Sequence, residues 1–365
     1  MEHSALLAEY DRHLPALARH GEAMRARLEE WLRADAALKL HSVTLRLKSR
    51  TSLARKLARP DRTYVRLWDV TDLVGLRVIT YFEDGVDRVG QLVEARLAVD
   101  FQHSIDKRRA RDTARFGYRS LHYVCRPDPG ELPVEARYEI QARTLLEHAW
   151  AEIEHDLGYK SRDAVPDTVR RRLNRLAGLL ELADQEFVAI RRELADYAAA
   201  LPQLIANADI GIALDALSLR SLLDCAEARA LDERIAGSLG KVLGDEPFYP
   251  DYLIRMLAAS GITTVGAARA GLARHRERIA AMVAPYFEFA ASTWRISPDG
   301  MAQILRGYSL FFLAHAAVLE ATALGINKVE RLAHLYRELD YPDDEHAAQH
   351  VATQLVDAFR ALPTD

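Results

Sequence analysis

Little in this sequence speaks for export, membranes or redox chemistry. Its 365 residues include two cysteines, Cys125 and Cys225, far apart and each among apolar neighbours. Two buried free thiols are expected, which excludes a disulfide framework or a Cys-rich zinc site and fits a reducing compartment. No basic segment leading into a hydrophobic core opens the chain, so no signal peptide is expected. No uninterrupted apolar run is long enough to span a bilayer; residues 308–324 come nearest and carry His315 and Glu320. A cytoplasmic protein with no membrane partner is the expectation. Excess positive charge is also missing: the net charge of -4 argues against bulk nonspecific nucleic-acid binding, while leaving room for a local basic patch. There is no repeat of convincing period and no low-complexity segment beyond alanine richness.

What is present divides the chain. Residues 5–34 carry Leu6, Leu7, Tyr10, Leu14 and Leu17 at helical spacing, predicting one or two amphipathic helices in an N-terminal segment, 1–40. From Val43 the texture changes to a strand (43–46) and a short helix through Leu53 and Leu57, ended at Arg59-Pro60-Asp61. Residues 74–82 are nearly all β-branched, aromatic or apolar and read as the clearest strand. Asp84 is expected to cap the next helix, striped by Val86, Val89, Leu92, Val93 and Leu97. Residues 104–116 are charged and aperiodic, predicting a mobile loop. Two further strands, 121–125 and 138–142, flank a turn region with Pro127, Pro129, Gly130 and Pro133, and Thr144 caps a helix to about Leu157. This order predicts an α+β domain over 41–165 with a mixed or antiparallel sheet flanked by helices. After Pro166 the pattern is helical. Residues 169–201 can form one long helix or a broken pair within a helix/linker segment, 166–207, and 208–365 an all-α region whose short helices break at Gly240, Gly244, Pro247, Pro250, Gly261, Pro285 and Pro342.

The chemistry lies in the first half. Arg46, Lys48, Ser52 and Lys56 stand at i, i+2, i+6 and i+10. A strand places the first two on one face, and a following helix places the last two one turn apart. Donors converging near a helix N-terminus suit a triphosphate; a solvated basic face is the alternative. Asp72 precedes the strand bearing Gly75 and Arg77, and Glu139 opens a strand on which Gln141 and Arg143 alternate with it. Two carboxylates on adjacent strands can hold Mg²⁺ against a triphosphate, although each alone is compatible with a solvated strand edge. In 116–122, Phe-Gly-Tyr-Arg-Ser-Leu-His, Tyr118 can stack on a base or fill a core edge. Lys107, Arg108, Arg109, Arg111 and Arg115 form the densest basic run, either a phosphate grip for a second nucleotide or a solvated loop. His148, Glu152 and His155 share a helix face, but the His-Glu-x-x-His arrangement of zinc hydrolases is missing, so a face closing the pocket is the preferred reading over a metal site.

Together these blocks, Arg46-x-Lys48 with Ser52 and Lys56, Asp72-x-x-Gly75-x-Arg77, 116–122, 139–144 and the helix 148–160, resemble the RelA/SpoT-type alarmone synthetase domain, especially its small stand-alone members. The resemblance covers about residues 40–165 and does not extend to 208–365. It implies a nucleotidyltransferase-like sheet and transfer of the β,γ-pyrophosphate of ATP to the 3′-hydroxyl of GDP or GTP, making ppGpp or pppGpp with Mg²⁺. It also implies Asp72 as a metal ligand and Glu139 as second ligand or base. Arg46, Lys48, Ser52 and Lys56 would grip the ATP phosphates, with Arg77 beside adenine. Lys107 and Arg115 would serve the acceptor nucleotide, Tyr118 would stack on its base, and His122, Gln141 and Arg143 would arrange it. Phe116 stands where the long members carry Asn, which leaves the acceptor open. Residues 1–40 are too few for a hydrolase domain, so alarmone hydrolysis is not expected. Two alternatives remain. One is a toxin-type enzyme acting on the tRNA 3′ end, motivated by the basic run. The other is a silent nucleotide sensor whose helical half binds a partner. A homo-oligomer is possible because the long helix 169–201 presents apolar stripes.

Overall fold

The computed structural model describes residues 2–60, 62–106, 108, 120–157, 166–206, 211–320, 327–339, 345–360 and 362. The chain divides into two compact units, Met1–Glu193 and Leu194–Asp365.

The first unit opens with one continuous helix, α1 (Glu2–Arg33), which runs through Pro15. It is followed by β1 (Leu40–Leu47), α2 (Arg50–Leu57), β2 (Val74–Thr80), α3 (Glu83–Arg96), β3 (Ala98–Val99), β4 (Ile105–Asp106), β5 (Leu121–Arg126), β6 (Tyr138–Thr144), α4 (Leu145–Asp156) and α5 (Asp167–Ala206). The sheet order is β1-β2-β6-β5-β3, with β4 also on β5. β2 and β6 are parallel and the other pairs antiparallel, so the sheet is mixed. Alternation along each strand separates two faces. Val43, Val74, Leu76, Val78, Leu121, Tyr123, Cys125, Tyr138, Ile140 and Ala142 are buried with Leu17, Met24 and Leu28 of α1 and Val86, Val89 and Val93 of α3. α1 lies so close that a Cβ on Gly21 would fall 2.6 Å from Leu45 Cδ1. The opposite face carries Arg46, Gly75, Arg77, Glu139, Gln141, Arg143 and His122, and it is polar.

Three local expectations change. The N-cap of α3 is Phe82, and Asp84 stands in the first turn, its carboxylate bonded to Arg191 of α5 rather than to a backbone N–H. Within 104–116, Ile105 and Asp106 form strand β4 by pairing with His122 and Leu121; Arg108 is also described, and residues 107 and 109–116 lie outside the described residues. Cys125 is a buried free thiol as expected, but Cys225 is only half-buried, because it occupies the N-cap of a helix.

The second unit contains the rest of α5 and α6 (Ala216–Leu223), α7 (Ala226–Ser238), β7 (Leu243–Pro247), α8 (Pro250–Ala259), α9 (Val265–Arg274), α10 (Arg276–Trp294), β8 (Ile304–Arg306), α11 (Tyr308–Glu320), α12 (Lys328–Glu338) and α13 (Glu345–Ala358). Its described residues are mainly helical; they also include the short parallel pair β7–β8, which the sequence reading did not anticipate, and an isolated bridge between Ala213 and Thr264. α11, the most apolar of the described helices, is the buried centre of this core. No described helix is long and apolar enough to cross a membrane. Pro285 does not break α10: Met282, Val283, Phe287 and Phe289 are buried around it, and that packing outweighs one lost backbone hydrogen bond. Gly240 and Gly261 end α7 and α8 at φ +64 and +87, conformations that cost glycine little. Pro342 lies outside the described residues.

Candidate active site

The sheet register assembles the polar face row by row. Arg46 pairs with Gly75, and Gly75 with Glu139. In the next row Thr44, Arg77, Gln141 and His122 are neighbours across four strands, and in the third Ile79 adjoins Arg143. Directly paired residues present side chains to the same face. The Lys48 N–H donates to the Leu73 carbonyl at 3.0 Å, which carries the ladder past β1 and sets Lys48 beside Asp72. A small cavity of about 80 Å³ results, lined by Arg46, Lys48, Asp72, Gly75, Leu76, Arg77, Glu139 and Gln141.

Asp72 is clamped by two ammonium groups, Lys48 Nζ to Oδ2 at 2.6 Å and Lys56 Nζ to Oδ1 at 2.8 Å. Burial alone would raise the carboxyl pKa; the two lysines more than offset it and hold the group below the usual carboxylate range. Lys56 reaches this point from the last turn of α2 and lies 5.9 Å from the centre of the Tyr64 ring. At the other end of α2, Ser49 is the N-cap and accepts the Ser52 N–H at 3.2 Å, while its hydroxyl lies 2.9 Å from that of Ser52. Ser52 is therefore in the first turn of α2, outside the lining of the cavity.

Glu139 is bonded on both oxygens. His122 Nδ1 lies 2.7 Å from Oε1, and Gln141 Nε2 donates to Oε2 at 2.7 Å. Burial favours its protonated form, but His122 and then Gln141 reverse this and the pKa is lowered, while the negative charge of Asp72 acts in the opposite sense. The two acids thus share one electrostatic neighbourhood. Arg143, fully buried, donates to Gln141 Oε1 at 3.1 Å.

α4 borders the same face. Thr144 caps it in a reciprocal box with Glu147 and donates to Asp184 of α5 at 2.6 Å. From α4, Glu152 reaches Arg77 at 2.8 Å, and His148 lies 3.8 Å from Glu152. Burial lowers the His148 pKa, with help from the positive charges of Arg143 and Arg77. His155 is exposed. Among the described residues no group of three or more His, Cys, Asp and Glu side chains is placed to hold a metal. Asp72 and Glu139 are hard oxygen donors on one cavity. That set suits a cation of the Mg²⁺ kind, which takes few protein ligands and fills its remaining positions with water and phosphate oxygens.

Lys107, Arg115 and Tyr118 lie outside the described residues. Arg108, from the same basic run, donates to Asp87 at 2.7 Å and to Asp106 at 3.0 and 3.1 Å. Sequence reasoning did not find the tie of Glu152 to Arg77, of Tyr64 to Lys56 or of His122 to Glu139. The first joins a strand to a helix, and the last depends on the β5–β6 register.

The family model described as the region found in RelA / SpoT proteins matches residues 45–164. GTP pyrophosphokinase YjbM of Bacillus subtilis (strain 168) is 33% identical over 162 residues, covering 43% of this chain and 75% of that protein. GTP pyrophosphokinase YwaC of the same organism is 27% identical over 159 residues, 41% of this chain and 72% of that protein. Among solved structures, the crystal structure of the small alarmone synthetase 1 from Bacillus subtilis is similar at a TM-score of 0.46 and 27% identity, over 52% of this chain and 98% of that chain.

Proposed function

The chain belongs to the RelA/SpoT family, and from that premise we propose that it transfers the β,γ-pyrophosphate of ATP to the 3′-hydroxyl of GDP or GTP. The observation that carries this reading is the convergence of Asp72 and Glu139 on one cavity with Arg46, Lys48, Arg77 and Gln141. Both curated relatives are named GTP pyrophosphokinases, which supports the acceptor class.

In-line displacement at phosphorus needs alignment and charge neutralisation more than covalent help. Lys48 and Lys56 neutralise the group in transfer, Arg46 and Ser52 hold the ATP phosphates, and Arg77 stands beside adenine. Glu139 takes the proton of the 3′-hydroxyl, directly or through one water. His122, Gln141 and Arg143 keep that carboxylate and the acceptor in place; Tyr118, Lys107 and Arg115 serve the acceptor base and phosphates. Asp72 and Glu139 are the residues that would hold Mg²⁺, which would supply positive charge to offset that of the phosphates.

ATP labelled at its β-phosphorus tests the reading. Incubated with Mg²⁺ and GDP or GTP, the label is expected in the acceptor nucleotide, with one AMP released per transfer. Label that stays in ATP and ADP with every purine acceptor would reject the proposal.

A further inference from the structure

Ser120 stands one residue before β5 and is completely buried. Its Oγ lies 2.5 Å from Nε2 of His122, whose other nitrogen, Nδ1, lies 2.7 Å from Glu139 Oε1. An ionised carboxylate only accepts, so Nδ1 carries the hydrogen in that contact and donates it to Glu139. In the tautomer with a bare Nε2, the ring accepts there from the Ser120 hydroxyl. The imidazole is pinned at opposite corners. Rotating it by half a turn about χ2 would set carbon atoms against both Glu139 and Ser120.

We propose that Ser120 is a positioning residue: by fixing the ring orientation of His122 it orients the Glu139 carboxylate toward the acceptor hydroxyl. The inference deepens the pyrophosphate-transfer reading and rests on it. Glu139 receives one side-chain donor from its own strand, Gln141, and one from the neighbouring strand, His122. Ser120 secures the second. Outer partners of this kind typically contribute about 10–100-fold to activity.

The test compares Ser120→Ala and Ser120→Thr with wild type, and repeats Ser120→Ala in the His122→Asn background. The amide nitrogen of an asparagine occupies the place of Nδ1 and donates to Glu139 without needing a partner on the far side. Ser120→Ala is expected to lower kcat about 10–100-fold with KM for ATP and acceptor unchanged, Ser120→Thr to restore most of it, and Ser120→Ala to cost nothing further once His122→Asn is present. An undiminished kcat in Ser120→Ala, or an equal loss in both backgrounds, overturns the proposal. A readout independent of turnover separates this failure from that of the transfer reading. In ¹⁵N-histidine-labelled protein, the two ring-nitrogen shifts of His122 are expected to move in Ser120→Ala and to hold in Ser120→Thr. Unmoved shifts in Ser120→Ala overturn the role of Ser120 whatever the acceptor proves to be, whereas a wild type that makes no product while the shifts move rejects only the transfer reading.

Discussion

Lys48 Nζ sits 2.6 Å from Asp72 Oδ2, and this contact joins the cationic end of β1 to the acid that precedes β2. It keeps Asp72 ionised and, in the proposed reaction, would set a positive charge against the phosphates. Lys48→Met is expected to reduce kcat about 10²–10³-fold, the usual effect of removing one preorganised donor, as measured by steady-state product chromatography. The same contact links stability to pH. The Asp72 pKa is lowered in the folded state, so its contribution to stability is present above the unfolded value, roughly 3.9, and disappears as pH falls through the lower folded value. The stability difference between wild type and Asp72→Asn, read from urea unfolding, should therefore shrink in that acid window.

Gly75 separates folding from function. A Cβ there would meet the Arg46 carbonyl oxygen at 3.6 Å, an ordinary contact, yet it would project onto the face that lines the cavity between Arg46 and Glu139. Gly75→Ala should fold normally and gain up to about 1 kcal/mol from lost chain entropy. Its kcat/KM should drop about 10²-fold, because small displacements of bound reactants are costly. Thermal melts and kinetics on one preparation check both halves.

In the second unit, Asp232 of α7 reaches across to the start of α11 and accepts the N–H groups of Gly307 and Ser309, each at 2.7 Å. The carboxylate is fully buried and caps a helix remote in sequence. Asp232→Ala strands both donors and should destabilise this unit by about 2 kcal/mol or more, measured by denaturant unfolding. Asp232→Asn, which keeps one acceptor oxygen, should cost less.

His315 makes the same core sensitive to acid. It is fully buried, with Nδ1 donating to the Phe311 carbonyl and Nε2 accepting from Tyr336 Oη, both at 2.9 Å. Burial pulls its pKa down to about 4. The unfolded chain takes up this proton near pH 6.5 and the folded chain only near pH 4, so stability falls across that window. The loss is about 1.4 kcal/mol per pH unit, or roughly 3 kcal/mol in all. His315→Gln should flatten the slope of unfolding free energy against pH between those values.

Segments whose local pattern agrees with their tertiary role were legible in the sequence. The largely apolar β2 is an interior strand, parallel to β6, and Thr144 caps α4. Arg46, Lys48, Asp72, Arg77, Glu139 and Gln141, grouped from spacing and resemblance, line one cavity. Remote packing hid the rest. Leu-Gly-Asp-Glu-Pro shows no alternation and becomes β7 only by pairing with β8. Pro285 looks like a break until its buried neighbours are known, and Asp84 turns to Arg191, more than a hundred positions away. The cap from Asp232 to α11 and the chain from Ser120 to Glu139 depend on contacts that no local periodicity encodes.

The proposed pyrophosphate transfer requires both Asp72 and Glu139. Wild type, Asp72→Ala and Glu139→Ala, incubated side by side with MgATP and with GDP, GTP or tRNA, test it most directly through chromatography of the products. A 3′-pyrophosphorylated guanosine nucleotide from wild type, and none from either variant at unchanged thermal melts, is the predicted result. Wild-type-like product from either variant would contradict it.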